Sequence, residues 1–342
     1  MLCREVRMLH RLSSAIVLLA AVMSNDAQAY RGDQIYASPG QPIDIGHRKL
    51  NLYCTGTGTP TIVLESGLGG RASAWARVQS ALSRTVRVCS YDRAGYAFSD
   101  PGPQPRTAER LVADLHAALT NSKVPRPYIL AGATFGAFVI RLFAARHSTE
   151  VAGMVLLNPS PEEEELTTAS ATVEHIDREG LQHARRCRDF ATAGKLNGNG
   201  AETKGCLPGP NPELSPQLNA ARTAMLRKPG TWAALVSEWE AIRESAAEVK
   251  AASAKTFSFP LVVISAGRET ESDGAPVEKA ALHDAWRHWT AWQDDVARIS
   301  INSLHIRTKD DSRAAETTDP ALVIAAIQKV IAAARNHSRL VR

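Results

Sequence analysis

The sequence predicts an α/β fold, a mostly parallel sheet with helices on both faces, and three observations carry that reading. Short apolar runs alternate with segments of helical period along most of the 342 residues, the pattern of a parallel sheet covered by helices. A glycine-rich loop, Ser66-Gly-Leu-Gly-Gly70, follows directly on a strand. Finally, Gly132-Ala-Thr-Phe-Gly136 sets a sharp bend between an apolar run, Tyr128 to Ala131, and a helical pattern marked by Phe138, Val139, Leu142 and Phe143.

The N-terminal segment is set aside before the fold is read. Arg4, Arg7 and Arg11 precede an apolar stretch, Ala15 to Met23, too short to span a bilayer. Ala27-Gln28-Ala29 has the A-x-A form of a signal-peptidase site. Residues 1–29 are therefore expected to be a signal peptide, and the mature protein an exported one (periplasmic or secreted) starting at Tyr30.

The mature chain follows in order. Pro42 to Tyr53 alternates with a period of two and reads as a hairpin turning near Gly46-His47. Thr61 to Glu65 is a continuous β-branched and apolar strand. Ser73 to Leu82 reads as a helix, and Val86 to Tyr91 as the next strand, followed by the polar loop Asp92 to Asp100. Thr107 is placed to cap a helix carrying Leu111, Val112, Leu115 and Leu119 on one face. The bend strand and its helix come next, then a buried run from Val151 to Leu157.

Residues 160–258 break the alternation. Glu162 to Glu165, read as a solvated helix start, lead into amphipathic helices interrupted by a Gly/Asn/Pro-rich loop near 194–216. One helix places Trp232, Leu235, Trp239 and Ile242 on a single stripe. This region is expected to be a helical cap inserted into a core of residues 30–159 and 259–342. Strand alternation resumes at Phe259 to Ser265, with a helix near 276–293, a strand from Ala297 to Ile301 and a closing helix from Pro320 to Ala334. The total is eight strands.

A net charge of +5 with scattered basic residues excludes a nucleic-acid reader, because no basic-aromatic motif accompanies it. Four cysteines remain after cleavage: Cys54, Cys89, Cys187 and Cys206. An even number in an oxidising compartment suggests disulfides, and four cysteines allow three connectivities. The pairs Cys54–Cys89, on two early strands, and Cys187–Cys206, flanking one loop-rich insertion, are expected. No C-x-x-C spacing supports zinc on these cysteines, and His283 and His288 stand five apart rather than four. No metal or other cofactor is expected.

Gly67-Leu68-Gly69-Gly70, the segment Tyr91-Asp-Arg-Ala-Gly-Tyr-Ala-Phe-Ser-Asp100, the Gly132–Gly136 bend and Asn302-Ser-Leu-His305 occur in this order. Together they resemble the α/β-hydrolase superfamily over residues 42–335, in its esterase, peptidase and dehalogenase branch. The resemblance implies an α/β-hydrolase fold with an eight-stranded, mostly parallel sheet and the inserted cap. Its strand order also puts the strand of Cys54 beside that of Cys89.

Acyl transfer on this fold uses a hydroxyl nucleophile on the elbow, an imidazole base, a carboxylate that orients it, and two backbone N–H groups facing the oxyanion. The resemblance places Thr134 as the nucleophile, His305 as the base, and the N–H groups of Leu68 and Phe135 as the oxyanion donors. It offers two positions for the acid. One is occupied by Asn158, whose amide cannot offset an imidazolium charge; the other falls near Glu269 and Glu271. Threonine at the elbow is a departure. A β-branched residue at positive φ is strained by about 1–3 kcal/mol, and its methyl restricts the rotamer that presents the oxygen. A loss of about 2–4 kcal/mol at the transition state would slow the reaction by two to three powers of ten.

Two functions fit. One is an exported hydrolase, slow or not, of a small ester or amide. The other is a catalytically inactive binder of a small apolar ligand or a partner protein. Dehalogenase chemistry is disfavoured because it needs an aspartate at the elbow.

Overall fold

The computed structural model describes residues 32–160, 162, 168–198, 200–203, 205–253, 256–267, 279–309 and 314–341. Eight strands form one sheet: β1 (Gln41–Asp44), β2 (Lys49–Thr55), β3 (Thr61–Glu65), β4 (Val88–Asp92), β5 (Tyr128–Ala133), β6 (Val151–Leu157), β7 (Leu261–Ser265) and β8 (Ser303–Arg307). Their order is β1-β2-β4-β3-β5-β6-β7-β8. β2 runs antiparallel to β1 and β4, while β4, β3 and β5 through β8 are mutually parallel. This is the expected eight-stranded, mostly parallel sheet.

The helices are α1 (Ala76–Leu82), α2 (Ala108–Asn121), α3 (Gly136–Arg146), α4 (Thr168–Thr192), α5 (Pro216–Leu226), α6 (Pro229–Glu240), α7 (Ile242–Ala252), α8 (Lys279–Ala297), α9 (Ala315–Thr318) and α10 (Pro320–Asn336). Strand residues alternate between two buried clusters, so the sheet is covered on both faces. Val63, Leu130, Leu156 and Val263 face α2, α3 and the end of α8. Ile62, Ile129, Val155 and Val262 face α1 and α10. None of the helices among the described residues is long and apolar enough to cross a membrane.

Four helices, α4 to α7, separate β6 from β7. They are tied to the rest of the chain by polar side chains at helix ends. Thr107 sits at the N-cap of α2 with extended backbone, yet its hydroxyl makes no capping bond. The orphan N–H groups at this end are served from α7 instead: Ala108 N donates to Ser245 Oγ at 3.0 Å and Glu109 N to Glu248 Oε2 at 2.8 Å. Just upstream, Arg106 N donates to Ser237 Oγ of α6 at 3.0 Å. Glu162, the first residue of the tetraglutamate, pairs with the buried Arg141 of α3. Trp232 is buried beside the Cys187–Cys206 disulfide and donates through Nε1 to Leu226 O at 2.7 Å. The other disulfide joins Cys54 to Cys89, directly opposed on β2 and β4.

One element differs from the sequence reading in a way that bears on function. The strand expected at Ala297 to Ile301 is displaced. Helix α8 runs to Ala297, and residues 299–301 make only a bridge to Phe257, with Phe257 N donating to Ile299 O at 2.7 Å and Ile301 N to Phe257 O at 3.0 Å. The ladder with β7 begins afterwards, at Ser303. Alternation in Ile299-Ser-Ile301 mimicked a strand, but Ile301 is exposed. The segment Asn302 to His305, which follows the strand expected at Ala297 to Ile301, is thus largely the last strand itself.

Candidate active site

The bend after β5 has the geometry its sequence requires. Thr134 sits at φ +46°, a left-handed conformation that costs a β-branched residue energy. The backbone holds it there: Thr134 N donates to Leu157 O at 2.8 Å, and Thr134 O accepts from Ala137 N at 2.9 Å and Ser160 N at 3.3 Å. Gly136 lets α3 pass under β3, because a Cβ there would lie 2.4 Å from Ser66 O and 2.9 Å from Glu65 O. The loop after β3 lies against the elbow just as closely. A Cβ on Gly67 would meet Thr134 Oγ1 at 2.4 Å, so the hydroxyl faces this loop.

A buried ionic cluster that the sequence reading missed holds that loop in place. Arg93, in the loop after β4, donates through Nη1 to Glu65 Oε1 at 2.6 Å and Ser66 O at 2.7 Å, and through Nη2 to Gly67 O at 2.6 Å. Glu238 of α6 completes it. Its carboxylate accepts from Arg93 Nε at 2.8 Å, Arg93 Nη2 at 3.0 Å, Tyr96 Oη at 3.0 Å and Gly69 N at 3.2 Å. Arg93, Glu65 and Glu238 are each at most 1% exposed. Burial works against the Arg93 charge, but Glu238 and Glu65 outweigh it and raise its pKa well above the ordinary value. Burial pushes Glu65 upward, partly offset by Arg93 and by the hydroxyl of Tyr91, which donates to it. The helix that supplies Glu238 also sets Leu235 against Gly69. A signal for Glu238 was available: it is the charged residue on the stripe between Leu235 and Ile242.

His305 is placed elsewhere. It lies in the middle of β8, paired with Val263. Its Nε2 is 2.7 Å from Ser265 Oγ and its Nδ1 is 2.8 Å from Asp294 Oδ1 of α8. Asp294 also accepts from Arg307 Nη2 at 2.6 Å. Its partial burial would raise its pKa, yet the hydrogen bonds from Arg307 and His305 prevail and lower it below the usual carboxylate value. Following the register from His305 through Val263 and Leu156 leads to Gly132, two residues short of Thr134 and three strands away. At about 4.8 Å between strands, the lateral separation alone is roughly 14 Å, more than two short side chains bridge. The structure therefore corrects the sequence reading: Thr134 and His305 are not brought together, because the histidine belongs to the ladder rather than to a loop beyond it. No histidine stands between His305 and His337 in the sequence.

Asn158, in one of the two acid positions, is buried at φ +42°; its N donates to Ile264 O at 2.8 Å and its Oδ1 accepts from Ala266 N at 2.7 Å. It links β6 to β7. Glu269 and Glu271 lie outside the described residues, as does the expected signal peptide. The N–H groups of Leu68 and Phe135 enter no hydrogen bond among the described residues. Phe135 directly follows Thr134, and Leu68 follows Gly67, on which a Cβ would lie 2.4 Å from Thr134 Oγ1.

Comparisons with known proteins agree with this architecture. A family model for the alpha/beta hydrolase fold matches residues 60–182. The Bacillus subtilis protein YqjL is 24% identical over 302 residues, covering 88% of this chain and 93% of its own length. Among solved structures, the enol-lactonase of Burkholderia xenovorans LB400 superposes with a TM-score of 0.57 at 19% identity, covering 85% of this chain and all of the lactonase chain. A thermophilic esterase from Thermogutta terrifontis superposes at 0.58 with 16% identity, covering 87% of this chain and 99% of the esterase.

Proposed function

We propose that this chain, which has the alpha/beta hydrolase fold, is an exported protein that binds a small, largely apolar carbonyl compound at the Thr134 elbow without turning it over. The observation that carries this reading is the engagement of both ring nitrogens of His305 by Ser265 and Asp294, three strands from Thr134. A threonine hydroxyl without a base is a poor nucleophile at neutral pH. Two N–H groups beside it, at Leu68 and Phe135, still suit a ligand carbonyl oxygen. The helices between β6 and β7, through Leu235 and Glu238, lie over the loop that carries one of these donors and are suited to shaping the ligand's surroundings. Export rests on the N-terminal arginines, the short apolar stretch and the A-x-A site, and on two disulfides of the kind that persist in oxidising compartments.

A second reading draws on the positive φ of Thr134 and the two adjacent N–H donors: a slow hydrolase of small esters or amides with Thr134 as nucleophile. One experiment separates the two. The purified protein is incubated with a fluorophosphonate probe, adducts are mapped by mass spectrometry, and ester turnover is compared between the native protein and Thr134→Ser. The binding reading expects no adduct on residue 134, no gain in turnover for the serine variant, and thermal stabilisation by unreactive esters, lactones or amides. An adduct on Thr134 that disappears in His305→Ala supports the hydrolase and removes the binding reading. Export is checked by the N-terminal sequence of the protein recovered from the medium or periplasm, expected to begin at Tyr30.

A further inference from the structure

His116, His147 and Glu150 meet on the flank of the molecule where α2 passes the end of α3. His116 lies in α2, His147 is the C-cap of α3, and Glu150 ends the short turn that leads into β6. Their candidate ligand atoms all lie within 4.8 Å of one another. We propose that these three side chains form a binding site for a divalent first-row transition metal of the zinc class, independent of the elbow.

The chemistry of the donors suits such an ion. Two imidazoles and a carboxylate are the borderline nitrogen and oxygen ligands that zinc, nickel and copper accept, whereas calcium and magnesium take oxygen. His116 Nε2 stands 3.2 Å from Glu150 Oε1. Two ligands on a tetrahedral zinc, each about 2.0 Å from the ion, stand roughly 3.3 Å apart, so these two atoms already have the required span. Arg126 Nε lies 2.9 Å from the other oxygen, Oε2, as an ion pair without hydrogen-bond alignment, which leaves Oε1 to face His116. Phe143 backs both rings, with centroids 5.8 Å from His116 and 5.0 Å from His147. His116, His147 and Glu150 are all half-buried, so the donors are partly shielded from bulk water.

The rings are stacked, 3.8 Å apart and 5° from parallel. Lone pairs lie in the ring planes, so parallel rings aim past a shared ion. Binding must therefore turn at least one ring about its χ2 torsion and break the stack, which gives the site a structural signature. Among the described residues, the other cluster of metal-ligand type, His183 with Cys187 and Cys206, lacks this capacity because both sulfurs are in the disulfide.

The test uses the full chain without an affinity tag, freed of metal by a chelator. Titration with zinc chloride in a calorimeter is expected to give one equivalent, with the melting temperature rising on binding. His116→Ala and His147→Ala should each weaken binding by about 10- to 100-fold, at least the cost of losing an outer-shell partner. Cobalt(II) added to the unmutated protein should give the visible absorption of a tetrahedral site, a readout that needs no variant to fold. Absence of saturable zinc binding in the unmutated protein would overturn the proposal. So would binding that persists at full strength when both histidines are replaced.

Discussion

Replacement of Glu238 by alanine should destabilise the protein far more than any ordinary change on the same helix. Its carboxylate receives four hydrogen bonds, two of them from Arg93, and is fully buried. Removal leaves Gly69 N and Tyr96 Oη without an acceptor and Arg93 with Glu65 as its remaining carboxylate. Breaking one partner out of a buried ion pair costs about 3–5 kcal/mol, which for a domain of this size lowers Tm by on the order of 10 °C. Glu240, two residues on, supplies the control. Its ion pair with Arg185 spans 2.7 Å between half-exposed side chains, and such pairs contribute about 0–1 kcal/mol. Urea denaturation followed by tryptophan fluorescence, with Glu238→Ala and Glu240→Ala side by side, gives both numbers. Equal destabilisation of the two variants would refute the view that Glu238 fastens α6 to the loop beside Thr134.

Three further outcomes are expected. Glu316, buried in α9, has its pKa pushed up to about 7 by burial; a raised carboxyl pKa stabilises the fold below the unfolded value and that stability is lost as pH rises through 7. Glu316→Gln should remove about 3 kcal/mol of pH dependence between pH 4.5 and 7, and parallel pH profiles by urea denaturation for the two proteins would contradict this. Opening the Cys54–Cys89 and Cys187–Cys206 crosslinks, which span 35 and 19 residues, should cost about 4 and 3 kcal/mol respectively, read from melting of the separate Cys→Ser pairs. Gly136→Ala forces a Cβ against the Ser66 and Glu65 carbonyls, and its expected loss of about 1–3 kcal/mol is measured in the same way.

The parts of the fold legible in the sequence were those whose signal is local. The β5 run, the two glycines of the bend and the apolar faces of α2 and α3 announce themselves through periodicity and through residues that only one backbone geometry tolerates. The β8 boundary did not, because Ile299-Ser-Ile301 alternates like a strand while its backbone bonds only to Phe257. That displacement of a few residues changed the role of His305. Glu238 was hidden for a different reason: its partners Arg93, Tyr96 and Gly69 are more than 140 residues away. Sequence shows the charge on the apolar stripe but not what neutralises it. The same holds for His116 and His147, which meet only because α2 and α3 pack side by side.

The site's departures from an acyl-transfer relay are coupled through the sheet rather than scattered. Asn158 Oδ1 takes the N–H of Ala266, the residue after Ser265. Ser265 Oγ bonds His305 Nε2, and His305 Nδ1 bonds Asp294. These contacts link β6, β7, β8 and α8 by polar bonds, so among the described residues Asn158 and His305 each serve a neighbouring strand or helix. An aspartate at 158 would still face Ala266 N, and a serine at 134 would still stand three strands from His305. Freeing Nε2 by removing the Ser265 hydroxyl would leave His305 three strands from the elbow, since its position is set by the β7–β8 ladder and not by its partners. On the binding reading proposed above, distance, more than the identity of the elbow residue, is what keeps Thr134 and His305 from forming a relay.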